Sequence, residues 1–251
     1  MNPDDFEKRM RSLEYFSSLR MLPGVWPIIR VDGRGFARKT AALFTKPFDT
    51  RFRDIMVTTA QTLLEELQGI YAYTMSDEIS LLLPLQWGLF DRRLEKTVSV
   101  SAGVASAAFT QALGEPAHFD SRVWLGTDSC LVADYFAWRQ AEAAANALHG
   151  WCYWTLRKSG KDIQEATAIL KGKPVSFQNE MLFRHGINFN DLPVWQRRGV
   201  GLYREFYEKE GFDPKRRKTV FASRRRIRIN QELPMKDHYV RFLLRIIQEY
   251  R

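Results

Sequence analysis

IYAYTMSDEISLLL, residues 70–83, is two β-prone runs divided by a pair of polar residues. IYAYTM and EISLLL are separated only by Ser76-Asp77, which reads as a β-hairpin with a tight polar turn. Upstream, WPIIRVD (26–32) follows a Pro-Gly turn and ends at Asp32-Gly33. Strand alternation there sends Arg30 and Asp32 to one face and Ile29 and Val31 to the other. Between the two extended stretches, Phe52, Ile55, Thr59, Leu63 and Leu67 make one helical stripe over about 50–68. Downstream, Leu94, Val98, Ala105 and Phe109 mark a helix over about 91–113, and SRVWLGT (121–127) is a further strand. The order strand, helix, strand, strand, helix, strand is the split βαβ or ferredoxin-like unit, so the expected fold is α+β with a βαββαβ sheet.

That topology has a geometric consequence. The first and second strands run parallel through a right-handed crossover, and the third lies between them. The end of strand one, at Asp32, and the turn between strands two and three, at Asp77, therefore fall on the same edge of the sheet. Two carboxylates at close range resist ionising together unless a divalent cation neutralises them. Magnesium suits such a pair, because it is commonly held by one or two carboxylates plus substrate phosphates. Gly33 and Gly35 let the backbone approach closely, so that its N–H groups can cradle a polyphosphate. Taken singly, Asp-Gly after a strand and Ser-Asp in a hairpin are ordinary turns; the shared edge is what gives them chemical meaning.

The rest of the chain bounds the reading. With 251 residues, 45% apolar composition, 17 Phe and 7 Trp, it can bury a substantial core. The net charge of +9 favours a polyanionic partner, nucleic acid before membrane surface. Cys130 and Cys152 match no metal spacing, and Cys130, in an apolar run, is expected to be buried. The charged N-terminus and the absence of a run of roughly 20 apolar residues leave no signal core or membrane span, which points to the cytoplasm. Asn2-Pro3-Asp4-Asp5 reads as a helix start, followed by Phe6, Met10, Leu13 and Phe16 at helical spacing. The second half is more helical, over about 129–158, 161–170, 176–184 and 237 to the end. Within it, KRRKTVFASRRRIR (215–228) holds eight Lys or Arg and no acid, with TVFA and RIRI reading as the two strands of a solvated hairpin. Trp151, Tyr153 and Trp154 read as core or interface aromatics, with stacking on bases the alternative.

Seven blocks carry a resemblance. IRVDGRGF (29–36), KPFDTR (46–51), YTMSDEISLLL (73–83), FDRRLEK (90–96), FDSR (119–122), DYFAWRQA (134–141) and NEMLFRHGINFN (179–190) occur in order, with near-family spacing. The chain thereby resembles the tRNA-histidine guanylyltransferases and their relatives, the 3′-to-5′ polymerases. The resemblance implies a polymerase/cyclase-like palm over 1–133 and a helical, fingers-like part with the basic hairpin over 134–251, packed as one unit. It implies an enzyme that activates a tRNA 5′-monophosphate with ATP, after which the 3′-hydroxyl of an incoming nucleotide such as GTP attacks and releases AMP. By match, Asp32, the Gly33 carbonyl and Asp77 hold two magnesium ions, with Glu78 as a third acid beside them. Asp32, Gly33, Arg34, Gly35, Phe36, Ala37, Ser76 and Asp77 contact the nucleotide, Arg93 and Lys96 meet its triphosphate from one helix face, and Lys46 serves activation. Arg216, Arg217, Arg224, Arg225 and Arg226 become candidates for tRNA phosphate contacts, and the expected assembly is a homotetramer. One stretch departs from the pattern: AAANALH (143–149) stands where the histidine-tRNA enzymes have a HINNLYN-type segment, keeping Asn146 and losing the histidine. This points to the guanylyltransferase-like branch, which repairs 5′-truncated tRNAs by templated addition. Histidine-tRNA-specific guanylylation, a nucleotide cyclase and a non-catalytic RNA-binding module stay as alternatives.

Overall fold

The central strands of the sheet are covered on both faces, so successive residues along them enter two different buried layers. A computed structural model describes residues 2–213 and 217–250. Its first half contains helix α1 (Pro3–Arg11), strand β1 (Trp26–Gly33), helices α2 (Phe36–Leu43) and α3 (Thr50–Glu66), strands β2 (Tyr71–Met75) and β3 (Glu78–Leu82), helix α4 (Leu94–Leu113) and strand β4 (Phe119–Gly126). There follow helices α5 (Ser129–Lys158), α6 (Ile163–Leu170), α7 (Val175–Arg184) and α8 (Val194–Arg198), strands β5 (Val200–Asp213) and β6 (Lys218–Asn230), and helix α9 (Asp237–Gln248).

The sheet runs β4-β1-β3-β2-β5-β6, and β3 pairs antiparallel with both β1 and β2. The third strand thus lies between two parallel ones, as the βαββαβ reading requires. Ile29, Val31, Ile79 and Leu81 face α3 and α4, packing on Met56, Leu63, Ala105 and Phe109. Trp26, Ile28, Tyr71 and Leu82 face the other way, onto Val132 and Phe136 of α5 and Tyr239 and Leu243 of α9. Two helical layers therefore enclose one sheet, and the far half of α5 packs separately with α6 and α7 around Leu148, Cys152, Leu170 and Leu182.

The Tyr71 and Tyr239 hydroxyls meet at 2.7 Å inside the second layer, both residues fully buried. Removing one partner strands the other, at a cost of about 1–3 kcal/mol, whereas removing both is close to neutral. Tyr239→Phe is therefore expected to lower unfolding free energy by about that amount, and Tyr71→Phe added to it to restore most of the loss. Urea titration of the two variants checks this.

Several expectations change. α1 ends at Arg11, short of Leu13 and Phe16, and buries none of its residues; its cap and acidic first turn sustain it without a core. Cys130 is exposed and Cys152 is the buried thiol, because the apolar stripe of α5 passes through Val132, Ala133 and Phe136 instead. TVFA and RIRI belong to the single strand β6, and its partner is β5, read nowhere in the sequence as a strand. β2 supports β5 only over Val200–Tyr203, while β5 and β6 pair on to Asp213 and Lys218. Beyond the sheet they form a two-stranded arm with exposed Phe206, Phe212 and Phe221.

Candidate active site

β1 ends where the β2–β3 turn begins, and the register puts Asp32 directly opposite Glu78. The turn itself, Ser76-Asp77, bends because Ser76 adopts a left-handed φ of 54°. Its Oγ donates to the Asp77 carboxylate at 2.9 Å, and the Gly33 amide donates to the Asp77 carbonyl at 3.0 Å. The first orients the Asp77 carboxylate within the tip, and the second pins the hairpin tip to the end of β1. Asp32 and Asp77, 45 positions apart, interact electrostatically as neighbours. Burial pushes the Asp77 carboxyl above its ordinary range, and the charges of Asp32 and Glu78 add to that, against the Ser76 hydrogen bond. A half-buried acid that resists ionising is a site that gains from a cation.

Glu78 has a different environment. Arg139 of α5 donates to both of its carboxylate oxygens, at 2.8 and 2.6 Å, and Arg30 lies 4.0 Å away. A carboxylate gripped by a bidentate guanidinium has its lone pairs largely occupied. Among the described residues no group of three or more His, Cys, Asp or Glu is arranged to hold a metal. The donor set is thus two carboxylates and nearby backbone, with the remaining positions left to water and phosphate oxygens. That fits magnesium, which keeps several waters and shares itself with substrate phosphates. Histidine and cysteine, which softer metals select, are missing from the set.

The DGRGF segment continues from Asp32 into α2. Gly35 caps that helix at φ 72°, with no side chain bonded to the first-turn amides. Those amides are available to an anion, and the helix dipole favours one there. Phe36 drops into the core beneath, touching Phe52, Phe109 and Phe119. A Cβ on Gly33 would lie 2.6 Å from the Phe36 ring, so only glycine lets the loop close over it. Arg34 is exposed, as is Ala37.

Two cavities flank the Ser76-Asp77 tip. The first, about 280 Å³, lies between α2, the Phe44–Phe52 connection and Trp195, with Lys46, Ser76 and Asp77 in its wall. The Lys46 ammonium donates to Thr40 Oγ1 at 2.6 Å. Burial lowers its pKa and the Asp77 charge partly restores it. The second, about 410 Å³, opens on the α5 side of the same tip and includes Asp32, Glu78, Arg139 and Trp154.

Arg93 and Lys96 do not both lie within α4. α4 starts at Leu94, so Arg93 is its extended N-cap, and neither residue lines either cavity. The preceding Phe90, Asp91 and Arg92 all have left-handed φ. The Arg92 side chain is drawn to the carbonyls of Met21 and Trp87, which holds the chain out of helix. The cavities give the triphosphate role of Arg93 and Lys96 no support. The arginine run also disperses. Arg224 and Arg226 alternate with Arg225 across β6, Arg226 is paired to Glu205 at 2.6 Å, and Arg225 lies over Phe206. Arg217 is exposed, and Arg216 lies outside the described residues. The sequence reading missed Thr40 and Trp195 in the first cavity and Arg139 beside Glu78. The WRQA block marked Arg139 as a family position, and nothing local marked its partner.

The profile of tRNAHis guanylyltransferase matches residues 7–127, and that of the Thg1 C terminal domain matches residues 130–241. tRNA(His) guanylyltransferase of Debaryomyces hansenii is 34% identical over 82% of this chain and 84% of its own length. tRNA(His) guanylyltransferase 2 of Arabidopsis thaliana is 34% identical over 74% of this chain, which spans only 37% of that relative. Among solved structures, a bacterial tRNA(His) guanylyltransferase (Thg1)-like protein in complex with GTP superposes with a TM-score of 0.73, at 27% identity, over 97% of this chain and 99% of its own. No helix among the described residues is long and apolar enough to cross a membrane. The two matched profiles cover both halves of the chain, and the yeast relative aligns over most of its length, so the chain belongs to the tRNAHis guanylyltransferase family.

Proposed function

We propose that this chain is a magnesium-dependent nucleotidyltransferase that lengthens the 5′ end of tRNA in the 3′-to-5′ direction, acting in templated repair of truncated ends. The observation that carries the reading is the meeting of Asp32 and Asp77 at one rim of the sheet, between two cavities and beside an uncapped helix N-terminus. Asp32, Asp77 and the Gly33 carbonyl would hold two magnesium ions, which supply Lewis-acid stabilisation of charge on the transferring phosphoryl group. The chain's own residues bind and orient. The first cavity takes the nucleotide, with Phe36 to Trp195 as its walls, and the α2 amides and Lys46 face the phosphates. Arg34, Gly35 and Ala37 line the approach, and Glu78, held by Arg139, fixes the tip that carries Asp77.

In the first reaction a 5′-phosphate oxygen of the RNA attacks the α-phosphorus of ATP and pyrophosphate leaves. In the second, the 3′-hydroxyl of the incoming nucleotide attacks the 5′-terminal phosphorus and AMP leaves. Transfers of this kind need positioning and charge neutralisation more than covalent help. The departure of AAANALH from the HINNLYN-type pattern, whose leading histidine it lacks, favours repair over histidine-tRNA-specific addition. Arg217, Arg224 and Arg225 are read as tRNA contacts through charge on the exposed arm, a role in which binding weakens steeply with salt. The working assembly is read as a homotetramer, on resemblance.

The test is to incubate the protein with a 5′-monophosphorylated, 5′-truncated tRNA, ATP, labelled nucleotides and magnesium. Stepwise 5′ lengthening that stops when EDTA is added is the expected result. Addition of a single G to intact histidine tRNA alone would restore the histidine-specific reading. A cyclic nucleotide made without RNA would remove the proposal altogether.

A further inference from the structure

The second cavity is built from parts that nucleotide binding in the first does not use. Ala143, Ala147, Gly150 and Trp154 succeed one another at spacings of four, three and four, so they share one face of α5. Three small residues open the space, and an indole closes its end. Tyr73, only 2% exposed, is in the wall, and its buried hydroxyl has no hydrogen-bond partner among the described residues. A buried hydroxyl left unpaired costs free energy unless a ligand or water completes it.

The charge around the two cavities differs. Lys46 and Arg53 line the first together with Asp49 and Asp77, so its cations and carboxylates are equal in number. The second holds Asp32, Asp77 and Glu78 against a single cation, Arg139, and that guanidinium is already engaged by Glu78. A free triphosphate is poorly matched to such a lining. A nucleotide with a single phosphate, delivered to the acid pair by the chain attached to it, is well matched. Pro47 and Phe48 add apolar wall, and Asn146 offers an amide to a base edge.

From this geometry we infer that the second cavity receives the 5′-terminal nucleotide of the acceptor RNA, with its base stacked on Trp154. The inference rests on Asp32 and Asp77 being the reacting centre, and it goes beyond that by assigning the two substrates to opposite sides of the hairpin tip. Stacking of one base on an aromatic side chain is sequence-tolerant, because every base has a π-face. Trp154 therefore holds the end of the RNA whatever its terminal base.

The probe is a 5′-monophosphorylated tRNA carrying 2-aminopurine as its 5′-terminal base. Its fluorescence is expected to be quenched on binding the wild-type protein with magnesium. Trp154→Ala should abolish the quenching and raise KM for RNA by roughly tenfold or more, with ATP affinity unchanged and with recovery in Trp154→Phe. Ala143→Leu, which fills the opposite end of the cavity and leaves Trp154 in place, should lose the quenching too. Unaltered quenching in Trp154→Ala, or none in the wild type, overturns the inference. The two readings separate cleanly: a wild-type protein that quenches but extends no RNA defeats the enzymatic reading alone. One that extends RNA while Trp154→Ala behaves identically defeats only this one.

Discussion

Asp77→Asn is expected to reduce 5′ nucleotide addition by about a thousandfold or more, while the protein stays folded. A metal-held phosphoryl group draws several kcal/mol of transition-state stabilisation from its cation, and each 1.4 kcal/mol is about a factor of ten. The amide keeps the size of the side chain and loses the charge that would hold the proposed cation. Without divalent ions the same variant should be more stable than the wild type at neutral pH. Burial raises the pKa of Asp77 in the folded state, so the unfolded chain gives up this proton first as pH rises. Stability is then lost above the ordinary carboxylate pKa, and the loss is complete above the raised one. Asparagine removes that cost. Thermal melts across pH 4–8, with and without magnesium, together with single-turnover RNA extension, check both halves. A variant that keeps wild-type extension would leave Asp77 with no catalytic part.

Phe36→Ala is expected to cost about 3–5 kcal/mol of stability, the range for emptying a large buried aromatic site. Phe36 is 2% exposed and its ring meets three others, those of Phe52, Phe109 and Phe119. For a chain of this size the loss corresponds to a fall in Tm of roughly 6–20 °C. The consequence reaches function, because the same ring supports Gly33 from below and starts α2, whose Phe36, Ala37 and Thr40 line the first cavity. Phe36→Leu refills part of the space and should recover most of the stability and less of the nucleotide affinity, since it restores volume without the ring's fit to Gly33. Calorimetry and ATP titration on the two variants separate packing from loop position. Equal melting temperatures for Phe36→Ala and the wild type would show that the ring is not what holds the DGRGF segment.

The alternation in WPIIRVDG and the division of residues 70–83 by Ser76-Asp77 are local signals, and they were sufficient for the central strands. Once those strands and the two helical stripes are in order, the right-handed crossover leaves one arrangement, and it carries Asp32 and Asp77 to a common rim. β5 was illegible for the opposite reason. VGLYREFYEKEGFD mixes charge and aromatic residues on both faces, because most of it stands clear of the sheet and only its first residues are buried. Arg93 was misread through its neighbours: the spacing that suggested a helix face takes no account of the turn at Phe90–Arg92, which contacts with the N-terminal segment hold in place.

The amino-acid sequence by itself determined the βαββαβ order, the family and the two carboxylates, since each depends on short-range periodicity, a short motif or a chirality rule. Only the tertiary structure decided that Arg139 occupies Glu78, that the arginine run disperses along an arm, and that the hairpin tip divides two unlike cavities. Those outcomes depend on which distant side chains arrive beside one another. That is set by the packing of α5 and α2 against the sheet, and no local pattern encodes it.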